Sequence, residues 1–483
     1  MPDTVHHPRQ RAAAMSPPPQ DAARSGRRSD VAARLARTFA GQLTDGLYAP
    51  GTRFPSIRAL ASLHGCAGNT VASALEQLVA QGWLEPRPGA GFFVRNRGRA
   101  AATAPTDSPG DSIDPAWLLR QQYGEGGGVA AGLPPPQWLR APEVERVMRK
   151  LARMGEIPQG YGDPAGFEPL RHRLCERLAG LQLSCEPRQI VTFGGANVAI
   201  DMALRALVQP GDHLLVDDPG YYPLFGKLRL AGAVPVAVPR LADGPDPDVL
   251  EKLAARWGPC LFITQPHAHN PTGGHLADNK ARAIVEVARR HGLRLIELDP
   301  LAHVAPRGAS RLCALDGFEN SLYVGTFSKL LPSGLRAGFM AAAPALTARI
   351  TAVKSMVGIN TSEFTERLVA DTMAGRALSD HADRLRLRIG EAARQGIDLL
   401  QRLGADVLCP EADSLYAWAR FDAWPDAGRL ARIARDQGLT LAPGQVFSVE
   451  GQVSPWLRFN VAAMAESPHF ATAMAAALGA RRA

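Results

Sequence analysis

The chain has 483 residues, 21% of them charged and 46% hydrophobic, with six cysteines and a formal net charge of +8. That length predicts a large core and more than one domain, while no apolar run approaches the roughly 18 residues that cross a bilayer and the N-terminus lacks a signal peptide's apolar core, so a cytoplasmic protein without a membrane anchor is expected. Cys66, Cys175, Cys185, Cys260, Cys313 and Cys409 form no CxxC pair, which predicts free thiols in a reducing compartment.

The charge is concentrated at the front. Residues 1–100 hold 13 Arg, no Lys and 6 acidic residues, net +7, whereas the rest holds 41 basic and 40 acidic residues, net +1. An arginine excess joined to a neutral body predicts a polyanion partner for the front and a different task for the body. Residues 1–28, rich in Pro, Ala, Arg and Gln, are expected to be a disordered basic tail. Asp30 is placed to cap a helix whose apolar positions Val31, Leu35, Phe39 and Leu43 recur every four residues until Asp45-Gly46. After the turn Pro50-Gly51, Ser56 is expected to cap a second helix through Leu63. Asn69 is expected to cap a third, with Val71, Ala74, Leu75 and Leu78 on its inner face and Gly82 at its end. Two short strands, 83–85 and 92–95, should flank the turn 86–91.

Three helices and a small hairpin describe a winged helix-turn-helix over residues 29–97. The run APGTRFPSIRALASLHGCAGNTVASALEQLVAQGWLEPRPGAGFFV closely resembles the GntR family of bacterial transcription factors. The resemblance implies binding to double-stranded operator DNA. The third helix would enter the major groove with Asn69, Thr70, Ser73 and Gln77 outward, while Arg58 and the wing residue Arg87 would reach phosphate or the adjacent groove. Gly68 and Ala72 stand where these relatives carry arginines, so anchoring there is expected to be weaker or differently placed. A winged helix that binds protein is the alternative; the local arginine excess favours DNA.

Residues 98–113, rich in Ala, Pro, Ser and Gly, are expected to be a linker. In residues 114–483 short apolar runs alternate with helical patterns, the signature of a parallel sheet covered by helices, in which ligands sit after strand ends. Gly194-Gly195-Ala196-Asn197 follows such a run and opens a helix whose amides can meet an anion. His267 and His269 lack acidic or Cys partners at ligand spacing and are read as loop residues, with no metal expected. Lys329 ends the run Leu322-Tyr323-Val324-Gly325-Thr326-Phe327-Ser328. An amine there can form a Schiff base with a carbonyl, and Thr326, Ser328 and Arg336 can hold a phosphate; the alternative is an ordinary strand end with Lys329 in solvent.

The segment around Lys329 resembles the cofactor-lysine segment of fold-type I pyridoxal-phosphate enzymes, the aspartate aminotransferase family. The resemblance continues through Tyr161-Gly162-Asp163-Pro164-Ala165-Gly166, Gly194 to Asn197, Tyr221, Asn270-Pro271-Thr272-Gly273 and Trp456-Leu457-Arg458-Phe459-Asn460. It implies that Lys329 carries pyridoxal 5′-phosphate, that Thr326, Arg336 and the amides of Ala196 and Asn197 bind its phosphate, that Tyr221 stacks on the ring, and that Asn270 donates to its phenolic oxygen. Tyr161 would reach the neighbouring subunit's phosphate, which implies a homodimer, and Arg458 would fork a carboxylate of an amino-acid effector. Relatives read Glu-Asp-Asp-Pro-Tyr where this chain has Glu297-Leu298-Asp299-Pro300-Leu301. Without a gap, the positions of the pyridine-nitrogen carboxylate and of the tyrosine are both leucine; a one-residue bulge would bring Asp299 into the role instead. Loss of that carboxylate removes the proton that makes the ring an electron sink.

The expected architecture is therefore an all-α/winged-helix N-terminal domain followed by an α/β fold-type I aminotransferase-like domain. The latter would have a large mixed, mostly parallel sheet with helices on both faces and a small C-terminal α+β subdomain. This arrangement resembles the MocR-type regulators. It implies a homodimeric, DNA-binding sensor of pyridoxal phosphate or an amino-acid adduct. An aminotransferase with an accessory DNA-binding head, and a degenerate scaffold that only dimerises, are the alternatives.

Overall fold

The computed structural model describes residues 51–80, 83–87, 91–94, 118–119, 128–155, 158–258 and 260–480, and residues 32, 35, 36, 38, 39, 43 and 48. The expected tail, the cap Asp30, the stops Asp45-Gly46 and Gly82, and the linker 98–113 lie outside the described residues. The chain divides into two compact units, Met1–Ser108 and Pro109–Ala483.

In the first unit, Ala36, Phe39 and Leu43 pack with Phe54, Leu60, Val71, Ala74, Leu75, Leu78, Leu84 and Val94 in one core. Ser56 caps the helix Ile57–His64, its Oγ accepting from Ala59 N at 3.2 Å, and Gly65 ends it at φ 60°. The third helix starts earlier than expected, at Gly68–Ala80. Thr70 N and Val71 N donate to Ala67 O at 2.9 and 3.3 Å, so Asn69 lies inside the first turn and is not the cap. Burial of Val71 is the reason: it faces the core only if the turn before it is already helical.

Strands β1 (Leu84–Arg87) and β2 (Gly91–Val94) pair antiparallel, with Leu84 opposite Val94 and Arg87 opposite Gly91. The first strand thus runs two residues further than expected and the second begins one residue earlier, while residue 95 lies outside the described residues. Pro86 joins the first because an edge strand does not need that residue's N–H. On its other side β2 bonds residues 51–54, with Phe54 N to Phe92 O at 2.8 Å and Val94 N to Thr52 O at 2.9 Å.

The second unit is built on strands β3 (Ile190–Phe193), β4 (His213–Asp218), β5 (Val234–Leu241), β6 (Gly244–Pro245), β7 (Leu261–Thr264), β8 (Arg294–Asp299), β9 (Ser321–Thr326) and β10 (Gly338–Ala342). Their order is β3-β10-β9-β8-β7-β4-β5-β6. The run from β9 to β5 is parallel; β10 is antiparallel to both neighbours, and β6 is antiparallel to β5. A second sheet comprises β11 (Asp406–Val407), β12 (Tyr416–Arg420), β13 (Ala442–Pro443) and β14 (Trp456–Asn460), in the order β11-β12-β14-β13.

Period-two alternation divides the large sheet's side chains between its faces. Leu214, Val216, Ile263, Ile296, Leu298 and Val324 pack with the helices Ala196–Leu207 and Tyr222–Leu230. Leu215, Phe262 and Leu295 pack with Pro247–Trp257 and Asp278–His291. The unbroken pairing of Leu298 with Val324 and Asp299 with Gly325 leaves no room for a bulge in β8. Leu298 and Asp299 therefore point to opposite faces.

Glu297 lies on the Asp299 face, fully buried. One oxygen accepts from Cys313 N at 2.8 Å and the other has no partner among the described residues. Burial pushes its pKa up to about 7. A raised carboxyl pKa means that the folded state favours the protonated form. The associated stability is present below the ordinary carboxylate range and is lost as pH rises through about 7. Glu297→Gln is expected to stabilise the protein at pH 8 by roughly 1–3 kcal/mol, with the gain shrinking at pH 5; thermal melts at the two pH values check this.

Candidate cofactor and effector site

A cavity of about 1110 Å³ opens at the carboxyl ends of the large sheet's parallel strands. Ala196, Asn197, Tyr221, Asn270, Thr326, Lys329, Arg336 and Arg458 all line it, together with Ser328, Leu298 and Val324. Residues separated by more than 250 positions thus share one chamber.

One corner is shaped for an anion. The helix Ala196–Leu207 begins there, and the amides of a helix's first turn have no acceptor within the helix. Arg336 approaches it, donating from Nη2 to Gly194 O at 3.0 Å and from Nη1 to Ser328 Oγ at 3.3 Å. Gly195 sits at φ 100°, and a Cβ on it would lie 2.5 Å from Arg336 Nη2, so a side chain there would push the guanidinium out. Thr326 Oγ1 donates to Ala337 O at 3.1 Å and accepts from Ser328 N at 3.2 Å, which fixes the turn that carries Lys329.

Lys329 Nζ donates to Gly132 O at 3.0 Å. The Tyr221 hydroxyl donates to Asn197 Oδ1 at 3.3 Å, which ties the ring to the helix start. Arg458, 1% exposed, donates from Nη1 to Asn270 Oδ1 at 2.9 Å and from Nη2 to Ala130 O. Its guanidinium carbon lies 5.1 and 5.0 Å from the Tyr416 and Phe447 ring centres. Burial lowers its pKa, and its Nε has no partner among the described residues.

Sequence reasoning missed the strap formed by residues 130–133. Besides Lys329 and Arg458, Tyr416 holds it through a hydroxyl bond to Gly132 O at 2.8 Å. Asn460 holds it through Nδ2 bonds to Ala131 O and Leu133 O at 3.0 and 2.7 Å. Four successive carbonyls are thereby taken by four side chains. No local pattern announces this, because the partners lie about 200 to 330 positions away.

Leu298 lines the cavity, whereas Asp299 lies behind the sheet, accepting from Arg311 Nε and the Tyr323 hydroxyl at 3.0 Å each. Leu301 is fully buried in the core with Tyr323 and Phe327. Tyr161 does not reach the cavity of its own chain and is 81% exposed. His269 is buried, with Nδ1 2.9 Å from Thr272 Oγ1 and Nε2 3.4 Å from Asp217 Oδ2; burial pushes its pKa down to about 4. His267 Nε2 lies 2.9 Å from Ser310 O.

In the first unit Arg58 and Asn69 are exposed, and Thr70, Ser73 and Gln77 are half-buried along the third helix. Arg87 ends β1 with its guanidinium 4.4 Å from the Phe93 ring centre and Nε 3.5 Å from Glu85 Oε1. Exposed Arg53 was missed. Its position two residues beyond Gly51, in the edge that bridges Phe93, brings its guanidinium beside Gly91 at the start of the second wing strand. A Cβ on Gly68 would meet only Ile57 Cγ2, at 3.7 Å, so an arginine fits there. Gly68→Arg is expected to tighten DNA binding and steepen the slope of log K against log salt by about 0.9; salt titrations of both proteins on one duplex check this.

The fold and the cavity define a winged-helix protein with a fold-type I aminotransferase domain. The family described as Aminotransferase class I and II matches residues 130–469, and Bacterial regulatory proteins, gntR family, matches residues 31–94. The chain belongs to the aminotransferase class I and II family and carries a GntR-family N-terminal domain, the MocR-type arrangement.

The uncharacterized HTH-type transcriptional regulator YdcR of Escherichia coli is 28% identical over 450 residues, 89% of this chain and 94% of that protein. The probable rhizopine catabolism regulatory protein MocR of Rhizobium meliloti is 28% identical over 415 residues, 81% and 82% of the two chains. The solved structure of LysN, the α-aminoadipate aminotransferase of Thermus thermophilus, superposes with a TM-score of 0.68 at 24% identity, covering 75% of this chain and 94% of that one.

The cofactor this family implies is pyridoxal 5′-phosphate, and the residues present fit it in part. The glycine-dependent approach of Arg336 to a helix start suits a phosphate, and Lys329 supplies an amine in the same chamber. The wall at Leu298 offers nothing to a pyridine nitrogen.

Proposed function

We propose that this protein is a pyridoxal-phosphate-binding, DNA-binding transcriptional regulator of the MocR type that acts in the cytoplasm and senses an amino acid or related carboxylate. The supporting observation is the division within one cavity: Lys329, Arg336, Asn270 and Arg458 converge, while Leu298 stands where a carboxylate would make the bound cofactor an electron sink. Binding groups are kept and the group that drives turnover is replaced. Lys329 would hold the cofactor covalently, Arg336, Ser328 and Thr326 would hold its phosphate, and Tyr221 would cover one face and exclude water.

The signal would pass through the strap. A carboxylate reaching Arg458 exchanges with the Ala130 carbonyl, and a carbonyl compound reaching Lys329 takes the amine from Gly132. Ligands that bind better to the released strap shift the protein's equilibrium by their differential affinity, typically ~1–3 kcal/mol. In this reading residues 1–28 are a basic tail, 29–97 the operator-binding domain, 98–113 a linker and 114–483 the sensor.

A homodimer fits an exposed apolar group: Tyr161, Met356, Val357 and Ile359 are 81%, 86%, 52% and 45% exposed. A Cβ on Gly162 would meet Glu363 and Asn360, so the Tyr161 loop lies beside that group.

The test is a visible absorption spectrum with added pyridoxal phosphate, followed by borohydride reduction and peptide mapping. A chromophore fixed on Lys329 that responds to an amino-acid titration is the expected result. Rapid keto-acid production would make the protein an aminotransferase, and a colourless protein would make the domain a dimerisation scaffold.

A further inference from the structure

Cys175 lies on the helix Glu168–Ala179 and Cys185 in the segment that leads into β3. Ten residues apart and without any motif, their sulfurs stand 3.6 Å from one another, the Cys185 thiol donating to Cys175 Sγ. Both are free and half-buried, so a small reagent can reach them. A disulfide needs an S–S separation of about 2.05 Å, so closing this gap takes a movement of roughly 1.5 Å. Leu178 and Leu183, fully buried between the two positions, hold the ends of the loop in place.

We propose that Cys175 and Cys185 form a reversible intramolecular disulfide, a redox modification site behind the large sheet. The oxidant is a small-molecule disulfide. The Cys175 thiolate attacks one of its sulfurs, the S–S bond breaks and one thiol leaves. Cys185, giving up its proton to solvent, then attacks Cys175 Sγ and expels the second thiol. Two protein thiols lose two protons and two electrons, and one external disulfide is reduced to two thiols.

The order of events follows from the surroundings. Burial raises both thiols, Cys185 to about 12, while the bond from Cys185 and the nearby Arg171 oppose the rise at Cys175. Cys175 is therefore the first nucleophile. Exchange is slow at neutral pH and accelerates about tenfold per pH unit while both thiols remain mostly protonated. Closing the loop restricts the unfolded chain, so oxidation raises thermal stability.

The experiment uses the full chain with oxidised glutathione at pH 7, 8 and 9, followed by a non-reducing tryptic digest. Expected is one cross-linked species joining the peptides LCER and LAGLQLSCEPR, formed faster at each higher pH, together with a rise in Tm that dithiothreitol reverses. Cys175→Ser should fold, give no cross-link and show no Tm gain. Separate glutathione adducts on the two cysteines would overturn the proposal, as would two unmodified thiols after prolonged exposure at pH 9. A Tm gain that persists in Cys175→Ser would overturn it as well.

Discussion

Lys329→Ala is expected to abolish covalent retention of pyridoxal phosphate while leaving operator binding in place. The amine stands in the cavity beside the Arg336 cradle, and no other lysine lines that cavity among the described residues. Without it the phosphate contacts remain, so the cofactor binds reversibly and is lost on gel filtration. Borohydride then fixes no chromophore and adds no mass. The winged helix has its own core of Phe39, Phe54, Leu60, Val71, Leu75, Leu78, Leu84 and Val94 and forms a separate unit. DNA affinity in the absence of ligand should therefore change by less than about threefold, well under 1.4 kcal/mol. Loss of both properties with a collapsed melting transition would show that the two units are not independent.

Leu298→Asp is expected to convert the sensor toward an enzyme. The substitution places a carboxylate on the cavity wall, in strand β8, where regular pairing with Val324 fixes the direction of the side chain. A carboxylate facing the ring nitrogen favours its protonated form, and amino-acid-dependent keto-acid formation should rise at least roughly tenfold, about 1.4 kcal/mol of barrier. The same change buries a charge where leucine packed against Ile296 and Val324, so Tm should fall. Unchanged turnover with the cofactor bound would mean that a different feature, such as the strap on Arg458, limits the chemistry.

Much of this was legible in the residues. The corner that gathers Ala196, Asn197, Thr326, Ser328, Lys329 and Arg336 could be read because its parts are short and local: two glycines before a helix, two hydroxyls before a lysine, an arginine after it. The winged helix could be read because its core follows helical spacing, although the start of the third helix was misplaced by its cap. Asn69 is a good capping residue, but the core contact of Val71 demands an earlier turn.

Composition and local chemistry by themselves determined a basic front joined to a neutral body, a parallel sheet, and a lysine at a strand end. Only the tertiary structure decided which of two neighbours, Leu298 or Asp299, faces the cavity. A single slip of register exchanges the two faces of a strand, and β8 is held in register by β9. Tertiary packing alone also placed Ala130 to Leu133 under Lys329, Tyr416, Arg458 and Asn460, and brought Cys175 to Cys185. Such contacts join groups whose separation along the chain carries no periodic signal. Their geometry is fixed by how sheets and helices pack, which no window of sequence contains.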